Sequence, residues 1–245
     1  MKKRILLLSV AALAFSCSTP KTQESAVDTV ASVPALPALT DAQKAEGWKL
    51  LFDGTTTTGW HFFKGKENNT WEVQDGALHC KAEADKRADL ITDGEYTNFE
   101  LSFDWKVAKG SNSGVMFHVT EEFDEPYFSG PEYQVIDDAN YPGELKDTQL
   151  AAANYDMHAV PTKKAAAFGE WNSSRLVVNG SHVEHWLNGE QVLTYELWSD
   201  DWTKRKNGSK WKDVKGYGMS KKGKIDLQDH GNEVWYRNIA IKELP

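Results

Sequence analysis

Residues 130–137 carry the first pattern that could support chemistry. Their sequence, Gly-Pro-Glu-Tyr-Gln-Val-Ile-Asp, predicts a strand that begins after a Gly-Pro turn and places Glu132 and Gln134 on one face. The same alternation puts Asp137 on the opposite face, so we expect Asp137 to be structural. A carboxylate buried in a sheet is costly unless a metal, a cation or a hydroxyl pairs with it. Glu132 and Gln134 are therefore either structural residues whose polar groups are paired within the sheet, or part of a functional site.

Further candidates lie in the second half of the chain, where histidines, carboxylates and amides recur. Such a mixed set suits a hard or borderline divalent cation, but no compact motif of the His-Glu-x-x-His kind occurs. His182 and His185 point to opposite faces of one predicted strand, so they cannot both bind one ion. The candidates are Glu132, Gln134, Asp137, His158, Glu170, His185, Gln228, Asp229 and His230.

The ten tryptophans are a second signal, because aromatic faces stack on the apolar faces of sugar rings. Most of them are expected in the core, and two or three in a ligand cleft. A conventional retaining glycosidase would need two carboxylates about 5 Å apart. The nearest pattern, at residues 121–125, precedes Pro126 and reads as a loop. A carbohydrate-binding cleft therefore fits the composition, with or without catalysis.

The elements that must position these residues read as short strands. Residues 99–107 alternate apolar and polar side chains, as a half-buried strand does. Asn179-Gly180 and Asn188-Gly189 predict two successive tight hairpins. Residues 138–164 form a long loop, and residues 198–222 predict an excursion with a short helix near the rim of the sheet. With neither a phosphate-binding loop nor sustained helical periodicity, the pattern favours two packed antiparallel sheets, a sandwich or jelly roll.

The N-terminal residues predict export. Residues 1–16 combine a basic start with a short apolar run, which is typical of a secretory signal. Cys17 follows in a pattern that resembles a bacterial lipobox, where the cysteine is lipidated. Residues 17–39 are rich in Ser, Thr, Ala and Pro and predict a flexible tether, which leaves residues 40–245 as one domain. We expect an exported lipoprotein of the outer membrane or periplasm.

Charge and cysteine count exclude two classes of protein. The formal net charge is −8, and removal of Lys2, Lys3 and Arg4 with the signal makes the mature chain more acidic. An acidic chain is a poor candidate for nucleic-acid binding. If Cys17 carries lipid, Cys80 is the remaining thiol, so neither an intrachain disulfide nor a thiolate metal cluster is expected.

A series of short motifs occurs in order along the chain. They are Trp48–Gly54, Gly59-Trp60, Trp71–Val73, Asn112–Val115, Glu132–Asp137, Glu170–Asn172, His185–Gly189, Gly223–Gly231 and Arg237–Ile239. Together they resemble the 3-keto-disaccharide hydrolase (3-keto-glycoside lyase/hydratase) family of Bacteroidetes-type lipoproteins, over roughly residues 46–243. The resemblance implies an all-β fold, a concanavalin A-like jelly-roll sandwich of two antiparallel sheets with a few short helices.

The resemblance also implies a reaction. Its substrate would be a 3-keto-glycoside or 3-keto-disaccharide, oxidised beforehand by a separate sugar 3-dehydrogenase. The C3 ketone acidifies the C2 hydrogen, so a base can remove that proton and expel the aglycone from C1, after which water adds. A divalent metal ion would supply a Lewis acid for the enediolate.

Guided by the resemblance, we hypothesise roles for some of the candidates. Glu132 and His158 would be catalytic, and Glu132, His158 and His230 would hold the metal. Substrate contacts would come from Asn112, Gln134, Tyr155, Gln228 and Arg237. A non-catalytic carbohydrate-binding lipoprotein and a conventional glycoside hydrolase are the alternatives. Convergence of Glu132, His158 and His230 would favour the enzyme, and their dispersal would favour the binding protein.

Overall fold

A computed structural model describes residues 36–161 and 165–245 of the chain. The predicted signal, the lipidation site at Cys17 and most of the predicted tether lie outside these residues and stay predictions. Within the described part, no helix is long and apolar enough to cross a membrane.

The strands form two antiparallel sheets, which confirms the predicted fold class. They are β1 (Lys49–Leu50), β2 (Trp60–Phe62), β3 (Trp71–Gln74), β4 (Ala77–Cys80), β5 (Leu90–Thr92), β6 (Phe99–Val107), β7 (Asn112–Val119), β8 (Glu132–Ile136), β9 (Asn172–Asn179), β10 (His182–Leu187), β11 (Glu190–Glu196), β12 (Lys224–Leu227) and β13 (Val234–Glu243). The larger sheet runs β11-β10-β9-β6-β13-β4-β3, with β1 paired to β13. The smaller sheet runs β2-β5-β12-β7-β8.

Helical segments are short. The helices are α1 (Asp41–Ala45) and α2 (Asp200–Gly208), and 3-10 turns occupy Phe63–Gly65, Pro126–Phe128 and Asp147–Gln149. Thr40 caps α1 through its side chain, as the sequence indicates, and α2 begins after Ser199, whose side chain accepts from the backbone of Trp202.

The pleat decides which residues face the core. Strand β6 buries every odd position and leaves the even ones partly exposed, as its alternation predicts. The predicted hairpins form β9-β10-β11, where Asn188 and Gly189 both adopt the left-handed conformation that a tight turn requires. Apolar side chains from the inner faces of both sheets fill the space between them.

The smaller sheet presents one row of residues away from this core. Met116 on β7 pairs with both Glu132 on β8 and Asp226 on β12. Directly opposed residues of antiparallel strands share a face, so these three side chains lie in one row. Met116 packs in a small separate cluster, whereas Val115 and Tyr133, one residue along, lie in the main core. The pleat therefore separates a polar outer face from an apolar inner face.

A buried chain of hydrogen bonds ties β8 to the larger sheet. The Trp105 indole donates to Ser174 Oγ at 2.8 Å, and Ser174 Oγ lies 2.8 Å from Tyr133 Oη. Tyr133 in turn donates to the backbone carbonyl of Trp186 at 3.0 Å. With Ser174 donating to Tyr133, every donor in the chain is satisfied. The inner face of β8 is thus fixed in position one residue away from Glu132.

Replacing Ser174 by alanine should destabilise the fold. The buried Trp105 N–H then loses its acceptor, so we expect Ser174→Ala to lower the free energy of unfolding by about 1–3 kcal/mol. Ser173→Ala is the matched control, because Ser173 is exposed on the same strand, and its effect should stay within about 0.5 kcal/mol. Urea denaturation measures both. Equal stability of the two variants would contradict the role of this hydrogen-bond chain.

Candidate functional site

A cavity of about 220 Å³ lies on the outer face of the smaller sheet, and we call it the Glu132 cavity. It unites six residues that the sequence analysis selected: Asn112, Glu132, Tyr155, Gln228, Asp229 and His230. The remaining residues that line it are Asp89, Glu125, Tyr127, Lys210 and Trp211.

The carboxylate of Glu132 is almost wholly buried, with 4% of the residue exposed. Space for it comes from Gly114 on β7, because a Cβ there would lie 2.5 Å from Glu132 Oε1. Burial raises the pKa of Glu132 to about 8; the positive charge of Lys210 opposes this rise, and the negative charge of Asp89 adds to it. A carboxyl group with such a pKa can exchange a proton near neutral pH.

The ammonium group of Lys210 is the cationic partner in this cavity. Its Nζ lies 4.2 Å from the centre of the Tyr155 ring and 4.3 Å from the centre of the Trp211 ring, within cation–π range. Desolvation lowers the pKa of Lys210, while the charge of Glu132 acts in the opposite direction. The two groups therefore stabilise each other's charged forms in a partly dehydrated site.

Two more carboxyl groups lie close to Glu132. Burial raises the pKa of Asp89 to about 7, even though Asp89 Oδ1 accepts from the Asp229 backbone N–H at 2.8 Å. Burial also raises the pKa of Asp226 well above its ordinary value, and the charges of Asp89 and Glu132 raise it further. Neither carboxylate oxygen of Asp226 has a hydrogen-bond partner among the described residues. Asp226 therefore resists ionisation.

Three residues that line the cavity carry buried acceptor oxygens without a partner in the described part of the chain. They are Asn112 Oδ1, Gln228 Oε1 and Asp229 Oδ2. A buried acceptor left unpaired costs free energy, so each such oxygen implies a donor that comes from outside the protein. Several convergent acceptors beside aromatic rings suit a sugar, which offers hydroxyl donors and an apolar ring face.

The structure does not bring His158 to this cavity. His158 lines a separate cavity of about 380 Å³ with Asp201 and Arg205, which we call the His158 cavity. Its ring stacks on Tyr195 with centroids 4.5 Å apart, and burial lowers its pKa to about 4. His158 is therefore a neutral imidazole held against an aromatic ring.

Two predicted substrate contacts are also placed elsewhere. Gln134 shares the face of Glu132, but its side chain donates to the Gln149 carbonyl at 3.3 Å and does not line the cavity. Arg237 belongs to the larger sheet, where its guanidinium lies 3.9 Å from the centre of the Trp171 ring and its Nε contacts Asp104 at 3.4 Å. Neither residue lines the Glu132 cavity, so their substrate contacts stay predictions. Asp137 is structural as expected, since it accepts from the Gly110 backbone.

The predicted metal centre is not assembled. Glu132 and His230 line one cavity and His158 lines another, so the structure does not bring the three side chains to one cavity, and a shared ion stays a prediction. Across residues 36–161 and 165–245, no three His, Cys, Asp or Glu side chains converge as metal ligands. The donor set therefore does not fit the ion that the resemblance implies, and the mechanism below uses this chain's own residues.

A stack of aromatic rings connects the two cavities. Tyr195 lies against Trp202 at 5.9 Å, Trp202 against Tyr217 at 5.8 Å and Tyr217 against Trp211 at 4.3 Å, all within 17° of parallel. His158 stands at one end, and Trp211 forms part of the Glu132 cavity at the other. His158 thus supports the wall of the cavity through this stack.

Sequence reasoning did not select five residues that line the Glu132 cavity: Asp89, Glu125, Tyr127, Lys210 and Trp211. Lys210 and Trp211 belong to the excursion at residues 198–222, whose lysines and tryptophans were the available signal. Asp89 directly precedes β5, and neither a motif nor another candidate adjoins it in the sequence. Its place in the cavity depends on the sheet order, which pairs β5 with β12.

The chain is similar in sequence and structure to several known proteins. A protein named 3-keto-disaccharide hydrolase from Bacteroides thetaiotaomicron is 36% identical over 231 residues, which is 82% of this chain and 79% of that protein. A crystal structure of a protein assigned as a glycosyl hydrolase from Parabacteroides distasonis is 40% identical, with a TM-score of 0.80 over 85% of this chain and 99% of that one. A second such structure from the same species is 29% identical, with a TM-score of 0.63 over 80% of this chain and 99% of that one.

The family match covers most of the domain. The family described as the 3-keto-alpha-glucoside-1,2-lyase-like domain matches residues 47–242. This range agrees with the ordered motifs, so the predicted resemblance is confirmed. The chain belongs to the 3-keto-alpha-glucoside-1,2-lyase-like domain family.

Proposed function

We propose that this carbohydrate-active enzyme cleaves 3-keto-glycosides in the Glu132 cavity by elimination followed by hydration. The observation that carries the proposal is the buried carboxyl group of Glu132 beside the ammonium of Lys210, in a cavity with unpaired acceptor oxygens. The name of the Bacteroides thetaiotaomicron relative supports a 3-keto-disaccharide as the substrate class.

Glu132 acts as the general base in this proposal. The C3 ketone makes the C2 hydrogen acidic, and the carboxylate form of Glu132 removes it as a proton. Because the pKa of Glu132 is about 8, its carboxylate is a stronger base than an ordinary one and is still populated near neutral pH. The C2–H electrons pass to the C3 oxygen and form an enediolate.

Lys210 stabilises the negative charge on that oxygen. Its ammonium group is held over two aromatic rings, so it is already oriented when the charge develops. As the C3 ketone re-forms, a C1=C2 double bond appears and the C1–O bond breaks, and Asp89 protonates the departing oxygen. Addition of water across the double bond then gives the free 3-keto sugar.

A non-catalytic carbohydrate-binding protein is the alternative that the separation of His158 favours. The same cavity still unites Glu132, Lys210 and His230, which such a protein would not need. Acceptor oxygens alone would suffice to bind hydroxyl groups. We therefore retain the enzyme, in agreement with the hydrolase name of the relative.

The cellular setting is proposed from sequence alone. Residues 1–16 and Cys17 support an exported lipoprotein of the outer membrane or periplasm. A separate sugar 3-dehydrogenase would supply the oxidised substrate, since nothing in the proposed chemistry creates the C3 ketone.

Glu132→Gln should abolish turnover without unfolding the protein. The amide cannot accept the C2 proton, so we expect kcat for 3-keto-trehalose to fall by a factor of about 10²–10⁴. Unfolding curves serve as the fold control. Each assay is run with and without chelator, because a loss on chelation that a divalent metal restores would support the predicted ion. Retained activity of the variant would refute the role of Glu132.

The pH profile should be bell-shaped, because the reaction needs Glu132 ionised and Asp89 protonated. With a pKa of about 8 for Glu132 and about 7 for Asp89, kcat/KM should be greatest between these two values and fall on both sides. Lys210 lowers the pKa of Glu132, so Lys210→Met should move the pH of the maximum upward. The same variant loses the stabilisation of the enediolate, and its kcat should fall by about 10²–10³. Initial rates across pH measure both effects.

Lys212→Met is the control for Lys210→Met, since Lys212 is exposed two residues away and does not line the cavity. Its rate and pH profile should match those of the wild type. An unchanged pH of the maximum in Lys210→Met would contradict the electrostatic coupling of Lys210 to Glu132.

A further inference from the structure

A second cavity of about 210 Å³ adjoins the Glu132 cavity, and we call it the Arg87 cavity. Asp89, Glu125 and Asp229 line both cavities and form a shared wall. We propose that the Arg87 cavity is the leaving-group subsite and binds a second pyranose ring, so that the scissile bond crosses the shared wall. This inference rests on the proposed function, because it assigns the other half of the same substrate.

The shared wall is rigid and offers an acceptor. Asp229 Oδ1 accepts from Arg87 Nε at 3.1 Å and from the Gly231 backbone at 3.0 Å. The backbone N–H of Asp229 donates to Asp89 Oδ1 at 2.8 Å, which joins the two carboxyl groups. Asp229 Oδ2 is buried and has no partner among the described residues. A sugar hydroxyl at the junction would satisfy this oxygen.

The size of the two cavities fits a substrate of two similar rings. Their volumes, about 220 and 210 Å³, are nearly equal. A monosaccharide glycoside with a small aglycone would occupy one of them and leave the other to solvent. A disaccharide would occupy both.

The lining of the Arg87 cavity favours a hydroxylated ring over an aromatic aglycone. Lys66 contributes a donor and the shared wall contributes acceptors, while Phe63 and Pro126 add apolar surface. The N–H groups of Arg87 are already bonded to Asp229 and to backbone carbonyls, so Arg87 contributes positive charge and holds the wall in place. An aromatic group would desolvate these charges without replacing their hydrogen bonds, which is costly. Sugar hydroxyls can both donate to and accept from them.

The shared wall also completes the proton balance. With one sugar ring in each cavity, the glycosidic oxygen lies at the junction of the two cavities, beside Asp89. Glu132 takes one proton from C2, the C1–O bond breaks, and the carboxyl group of Asp89 gives one proton to the departing oxygen. The second sugar leaves as an alcohol from its own cavity.

Ala88→Leu tests the subsite, because Ala88 is buried and lines the Arg87 cavity but not the Glu132 cavity. The added atoms should exclude the second ring and lower kcat/KM for 3-keto-trehalose by about ten- to hundredfold. For methyl 3-keto-glucoside, whose aglycone is small, kcat/KM should stay within about twofold of wild type. Ala82→Leu is the matched control, since Ala82 is exposed on the same loop and should change neither substrate.

Lys66→Ala is a second variant in case Ala88→Leu does not fold. Lys66 is partly exposed and lines the Arg87 cavity but not the Glu132 cavity. Because its charge also lowers the pKa of Asp89, the readout is the ratio of kcat/KM for the two substrates. We expect a selective loss of about three- to tenfold in kcat/KM for 3-keto-trehalose. If a folded variant affects both substrates equally, or neither, the subsite is wrong while the proposed function stands. If the wild type turns over neither substrate, the proposed function fails and the subsite fails with it.

Discussion

The desolvation of Glu132 is the constraint on which the site depends. A carboxyl group deep in a sheet face resists ionisation, and the nearby negative charge of Asp89 adds to that resistance. Lys210 offsets part of it, because its ammonium group is held close by two aromatic rings. The opposed effects keep the pKa of Glu132 near neutral pH, where a proton can move in either direction. A solvent-exposed glutamate could not serve this way.

The scaffold supports this balance from the other side of the same strand. Tyr133 follows Glu132 directly and turns into the core, where its hydroxyl joins the chain that runs from Trp105 through Ser174. That chain links the two sheets and therefore fixes the strand that carries the base. On the neighbouring strand β7, Gly114 gives the carboxylate room that any side chain would occupy. Position and space are set by neighbouring strands that are distant in sequence.

The Glu132 cavity and the Arg87 cavity share one wall of carboxyl groups. In the proposal, each sugar ring of the substrate occupies one of these two cavities. Asp89 lies beside Asp229, and Arg87 holds Asp229 through a charged hydrogen bond. At the far side of the Glu132 cavity, the aromatic stack carries support from His158 to Trp211. In this arrangement His158 acts on the site through packing. Its low pKa, caused by burial, agrees with an uncharged structural ring.

Sequence by itself determined the sandwich, because alternation in β6 and the Asn-Gly turns are local properties of the chain. It also selected Glu132 and placed Asp137 on the opposite face, since the pleat has a period of two. It could not decide which distant residues share a cavity. His158 was grouped with Glu132 by residue type, yet loop packing puts it elsewhere; Asp89 and Lys210 reach Glu132 only through sheet order and a long excursion. Local periodicity assigns a side chain to a face, whereas only the tertiary structure decides which faces and loops meet.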